Sequence, residues 1–185
     1  MKKNSLGIFT ILGMLLMVVF VSGCTSTSQN LNQTFSSQGI SFNYPSDWTT
    51  GNFSAEDLPN NVTGLVRLGL LQSPDGMGMG ISKVNLTAFS GNTTVAALKD
   101  LSKSSIINES AQVLSDNQTN INGVNVYAIV YTKNNTSTNK SEKTMQVVTG
   151  VDGQTAYLMQ FTADPQTFDQ DLQLINQIIA TVKIQ

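Results

Sequence analysis

The sequence predicts an α+β domain over residues 34–185, an α/β/α sandwich built on a mainly antiparallel sheet. Three observations lead there. Short runs of alternating apolar and polar residues recur between Gly, Pro, Asn and Asp turns, the pattern of strands joined by hairpins. The C-terminal segment repeats apolar residues at helical spacing. Two central strands are apolar on both faces. In 124–131, Val124, Val126, Ala128 and Val130 oppose Tyr127, Ile129 and Tyr131, and in 156–161, Ala156 and Leu158 oppose Tyr157, Met159 and Phe161. A strand apolar on both faces needs cover on both, so helices are expected on each side.

Taken in order, residues 34–36, a Ser37-Gln38-Gly39 turn and 40–44 predict an opening hairpin, with Ile40, Phe42 and Tyr44 on one face and Pro45 as its stop. Residues 65–72 and 77–86 predict a second pair around Ser73-Pro74-Asp75-Gly76. A helix follows, capped by Thr93 or Thr94, with Val95, Leu98 and Leu101 as its apolar face. Strands are expected at 111–119, 123–132, 143–151 and 154–162, with tight turns at Asn122-Gly123 and Asp152-Gly153. The polar stretch 133–143 reads as a hairpin tip in solvent. In the closing helix, Asp164 is the expected N-cap and Pro165 fits the first turn. Phe168, Leu172, Ile175, Ile178, Ile179 and Val182 form its buried stripe.

Residues 1–23 read as an export signal. Lys2 and Lys3 precede an apolar run over 6–21, shorter than the roughly 20 residues that usually span a bilayer. The run ends in Val21-Ser22-Gly23-Cys24, which resembles the lipobox of exported lipoproteins. That resemblance implies cleavage before Cys24 and a lipid on its thiol. The expected location is then the outer face of the cell membrane, with the membrane itself as one partner. Residues 24–33 read as a flexible tether.

Composition excludes several chemistries. The part after the signal carries 8 basic and 12 acidic residues, a net of −4, and no basic patch, so nucleic acid is not an expected partner. Histidine is absent and Cys24 is the only cysteine. A His-dependent triad, an intramolecular disulfide and a Cys/His zinc site are therefore excluded. No cofactor or metal is expected. Asn-X-Ser/Thr sequons begin at Asn32, Asn52, Asn61, Asn85, Asn92, Asn108, Asn117, Asn134, Asn135 and Asn139, using 10 of the 18 asparagines. They are candidate glycosylation sites and are expected mostly in loops.

Other conspicuous residues read as structural. Trp48, the only tryptophan, is expected in the core. In Gly76-Met77-Gly78-Met79-Gly80, the methionines share one strand face as core fillers, and the glycine face is expected to admit another backbone or a loop. Two thioethers without His or Cys are few ligands for Cu(I). Asp164, Asp169 and Asp171 complement the dipole of the closing helix, while Glu56, Asp57 and Asp75 lack the spacing of a calcium loop. No catalytic motif frames any serine, and no motif points to paired catalytic carboxylates.

The segment Ile40-Ser41-Phe42-Asn43-Tyr44-Pro45-Ser46-Asp47-Trp48 resembles the opening of the PsbP family, and the order of elements across 34–184 resembles that family too. With the lipobox and the sequons, the chain is similar to PsbP-like lipoproteins of methanogenic archaea. The resemblance implies the fold. Plant PsbP proteins help photosystem II retain calcium and chloride, but the metal-binding histidines of that branch have no counterpart here. The functional expectation is a non-enzymatic binding or assembly module facing an unidentified protein or envelope partner. The alternatives are a carboxylate-based surface hydrolase and a structural envelope spacer.

Overall fold

The computed structural model describes residues 29–51, 64–89, 93–135 and 138–185. Strands β1 (Gln33–Ser37) and β2 (Ile40–Tyr44) form the expected hairpin. Its turn residues Gln38 and Gly39 have φ of 45° and 93°, the left-handed pair that a two-residue hairpin loop requires. β3 (Thr49–Gly51), β4 (Leu65–Gln72) and β5 (Gly78–Asn85) follow, then α1 (Val95–Asn108). A meander of β6 (Gln112–Ile121), β7 (Val124–Asn135), β8 (Lys140–Val151) and β9 (Thr155–Ala163) leads to α2 (Phe168–Ala180) and β10 (Lys183–Ile184).

Seven strands make the main sheet, in the order β3-β4-β5-β9-β8-β7-β6, and every pairing given for it is antiparallel. A smaller sheet has the order β1-β2-β10. Neighbouring residues on β8 divide the core: Val147 packs with α2, whereas Val148 packs with α1. The two helices therefore lie on opposite faces, as the doubly apolar strands require. The small sheet shares the α2 layer, where Ile40 and Phe42 join Ile175 and Ile178 in one cluster. Burying a side chain of the size of Phe168 or Ile175 stabilises the fold by roughly 1.5–3 kcal/mol.

Several details depart from expectation. Strands β7 and β8 run on to Asn135 and back from Lys140, so most of 133–143 belongs to the sheet and the solvent tip is short. Register pairs such as Lys133 with Glu142 extend the ladder beyond the apolar core, which hydrophobic alternation alone does not mark. The cap of α2 is also different. Asp164 Oδ1 accepts from Gln166 N at 2.8 Å, so it closes a turn before the helix, and Thr167 occupies the N-cap position with no side-chain cap bond. β3 and β10 were not anticipated, being too short for a periodic signal. Leu31, assigned to the tether by its polar neighbours, packs against the main core.

α1 begins as expected at Thr94, whose Oγ1 accepts from Ala97 N at 3.1 Å. The β8–β9 turn adds a second cap, Asp152 Oδ1 accepting from Val95 N at 2.7 Å. Val95, Leu98 and Ile106 are buried, but Leu101 is 55 % exposed. The helix covers only part of its sheet face, and Leu101 lines the groove that the described residues leave beside it.

Candidate functional site

Two of the concave surfaces formed by the described residues lie on opposite layers of the sandwich. The first, of about 490 Å³, is a polar cleft between the Pro45–Trp48 turn, the β4–β5 turn and α2. The β4–β5 turn is held by its own bonds: Ser73 N donates to Met77 O at 2.9 Å, Met77 N to Ser73 Oγ at 2.8 Å, and Ser73 Oγ to Asp75 Oδ1. α2 presents Gln170, Gln173 and Gln177 along one stripe, because residues three and seven apart fall on one helix face. Asp47, Asp75 and Asp171 are its acidic lining, and no Lys or Arg among the described residues lines it.

Trp48 forms one wall. The expectation that it packs in the core holds, since it is 6 % exposed and belongs to the main cluster. Its remaining surface faces the cleft. Asp171 is half-buried, and burial, followed by the charge of Asp75, pushes its carboxyl above the ordinary range. Sequence reasoning placed Asp171 only at the helix dipole. The helical stripe of glutamines beside it was the available signal.

The Asp171 shift has a sign that can be checked. Its folded carboxyl keeps a proton to higher pH than the unfolded one, so this group's contribution to stability falls as pH rises from about 3.9 through the raised pKa. Asp171→Asn removes the charged form. The variant is expected to unfold at a higher temperature than wild type near pH 7, with the gap closing near pH 3, in thermal melts followed by circular dichroism. A wild type more stable than the variant at neutral pH would contradict this.

The second concavity, of about 510 Å³, is a groove between α1 and strands β4, β5 and β9. Leu65, Phe89, Leu98, Leu101, Ile106 and Leu158 form its apolar walls. Gly80, Ser82, Gln146 and Gln160 line it as well, with Gln160 Nε2 donating to Gln146 Oε1 at 2.9 Å. The expectation that a backbone or loop packs on the glycine face of β5 is overturned. A Cβ at Gly80 would meet no atom within 4 Å, and one at Gly78 only Thr162 O at 4.0 Å. The close approach occurs instead at Gly69, beside the β4 bulge, where a Cβ would stand 2.7 Å from Phe35 Cε2. Met77, just before β5, and Met79, on the face of β5 opposite the glycines, are buried in the main core.

Cys24, Asn52, Asn61 and Asn92 lie outside the described residues. Asn32, Asn85, Asn108, Asn117, Asn134 and Asn139 are exposed. Asn135 is half-buried and donates to Glu142 Oε1 at 2.7 Å. The expectation that the sequons fall mostly in loops does not hold for the described ones. Asn117, Asn134 and Asn135 stand within strands, and Asn85 and Asn108 end elements. Edge strand β6 and the outgrown β7 expose positions that a central strand would bury.

Among the described residues, no group of three or more His, Cys, Asp or Glu side chains could hold a metal ion. No helix among them is long and apolar enough to cross a membrane.

The family model described as PsbP-like protein matches residues 21–184. No curated protein sequence matches the chain. Among solved structures, the cyanobacterial PsbP (CyanoP) of Synechocystis sp. PCC 6803 superposes with a TM-score of 0.58 at 13 % identity, covering 83 % of this chain and 92 % of that one. LpqN of Mycobacterium tuberculosis, a protein involved in cell envelope biogenesis, gives 0.57 at 14 % identity over 82 % of this chain and 89 % of its own. At such identities the likeness is one of fold.

Proposed function

The chain belongs to the PsbP-like family, and from that premise we propose that it is a lipid-anchored, non-enzymatic binding module on the outer face of the cell membrane. One observation carries the binding reading: no described residue covers the groove beside α1, where Leu101 is 55 % exposed and Gly80 lines the wall. Leaving an apolar wall open to water forgoes roughly 25 cal/mol per Å², which a partner recovers by covering it. Gln160 is exposed at the same groove and offers an amide to a bound backbone. The occupant that fits is an apolar segment of a neighbouring envelope protein. The anchor rests on Val21-Ser22-Gly23-Cys24, and the envelope role accords with what is said of LpqN.

A photo-crosslinker at Leu101 in intact cells tests this reading, with the same group at Leu114, 47 % exposed on edge strand β6, as control. One discrete protein adduct at Leu101, absent at Leu114, is expected. Adducts of lipid alone, or equal capture at both positions, would refute the reading. A surface hydrolase is the second reading, favoured by Asp75 and Asp171 lining one cleft with the Asp171 carboxyl held protonated to higher pH. It requires glycan turnover that Asp171→Asn abolishes. An envelope spacer would give neither adduct nor turnover.

A further inference from the structure

The cleft at Trp48 has a composition that the groove does not share. The indole ring is more than nine-tenths buried, yet among the described residues no acceptor is placed for its N–H. No buried side-chain nitrogen or oxygen among the described residues lacks a partner, so this N–H keeps contact with solvent and is open to a ligand beside Trp48 in the cleft. Three glutamine amides supply both donors and acceptors, and Asp47, Asp75 and Asp171 supply strong acceptors.

That mixture selects among ligands. An anionic phosphate is repelled by three carboxylates with no cation among the described lining residues. A metal ion is disfavoured, because these carboxylates do not come together as a ligand set. An amine would use the carboxylates but leave the indole and amide donors facing a cation. A hydroxyl donates and accepts at once, so vicinal hydroxyls satisfy both halves of the lining. The volume of about 490 Å³ is within the range of small-molecule sites.

We propose that this cleft binds a polyhydroxylated ligand, a sugar, with Trp48 and the amide stripe of α2 donating and Asp75 and Asp171 accepting. Gln29, five residues after Cys24, also lines the cleft. Five residues reach at most roughly 18 Å when fully extended. The sugar is therefore either the headgroup of a glycolipid in the same membrane or part of a soluble glycan. The headgroup alternative rests on the lipid-anchor reading; the cleft chemistry does not.

Trp48, as the only tryptophan, reports on its own site. The full processed chain is titrated, following its fluorescence, with methyl glycosides of glucose, galactose and mannose. Parallel titrations use phosphatidylglycerol vesicles with and without galactosyl diacylglycerol. A saturable change with at least one glycoside, or with glycolipid vesicles only, is expected. Tighter response to glycolipid vesicles identifies a headgroup, and equal response identifies a free glycan. Asp171→Asn and Gln173→Ala are each expected to raise half-saturation at least about tenfold, with the thermal midpoint not lowered. No saturable change with any sugar, or the same change with spermidine or calcium chloride, overturns the proposal. If Cys24 carries no lipid, only the vesicle advantage disappears, so the two failures are separable.

Discussion

Cys24→Ser is expected to abolish lipid attachment and to leave the chain with an intact Met1, read directly as the mass of the N-terminal peptide. In wild type that peptide should begin at residue 24 and carry the added mass of a lipid. The physical basis is a division of labour between the apolar run and the lipid. On the lipoprotein reading the run over 6–21 is consumed in export, and among the described residues no helix is long and apolar enough to replace it in the membrane. Each buried methylene of an anchor contributes about 0.8 kcal/mol, so the attached chain sets the membrane affinity almost alone. After removal of residues 1–23 by an engineered protease site, the serine variant should show at least a ~tenfold lower membrane-bound fraction than wild type. An unmodified Cys24, or a wild-type chain that keeps Met1, would refute lipid anchoring while leaving the groove and the cleft untouched.

Gly80→Val is expected to make the domain more stable and less able to hold a partner. Glycine inside a strand costs roughly 0.5–1 kcal/mol of conformational entropy, and here the space beside it is empty. The gain corresponds to about 1–4 °C in the unfolding midpoint of a domain this size. The new isopropyl group would stand on the groove floor, so capture at Leu101 should fall several-fold. Gly69→Val on the neighbouring strand is the opposite case. Its side chain would collide with Phe35, and overpacking of this kind costs about 1–3 kcal/mol. A Gly80→Val protein that melts lower than wild type, or that crosslinks undiminished, would refute the groove as the binding surface.

These two glycines also show where sequence reading stops. Period-two alternation located the strands, because burial on one face leaves a linear trace. The same logic on 124–131 and 156–161 required two covering layers, and the structure supplies α1 on one face and α2 with the small sheet on the other. Alternation also put Met77 and Met79 together on the face opposite the glycines, as found. It could not say whether a glycine face is crowded or open, since that depends on how far α1 extends across the sheet. The cleft was less legible still. Asp47, Asp75 and Asp171 are far apart in the chain and line one cleft only through a turn, a hairpin and a helix. Asp171 looked like an ordinary acidic residue near a helix N-terminus, and only tertiary burial distinguishes it.

The order β3-β4-β5-β9-β8-β7-β6 has a kinetic consequence. β6 to β9 pair with sequence neighbours and can form from short-range contacts, but β5 pairs with β9 across the whole intervening meander, as Ser82 with Leu158. β2 waits longer still for β10, where Ser41 meets Lys183. Closing such long loops is the slow part of assembling a sheet. A chain emerging N-terminus first therefore cannot complete its central seam until almost all of it has been made. The early hairpins wait with their outer edges unpaired, and the last strands to arrive close the domain.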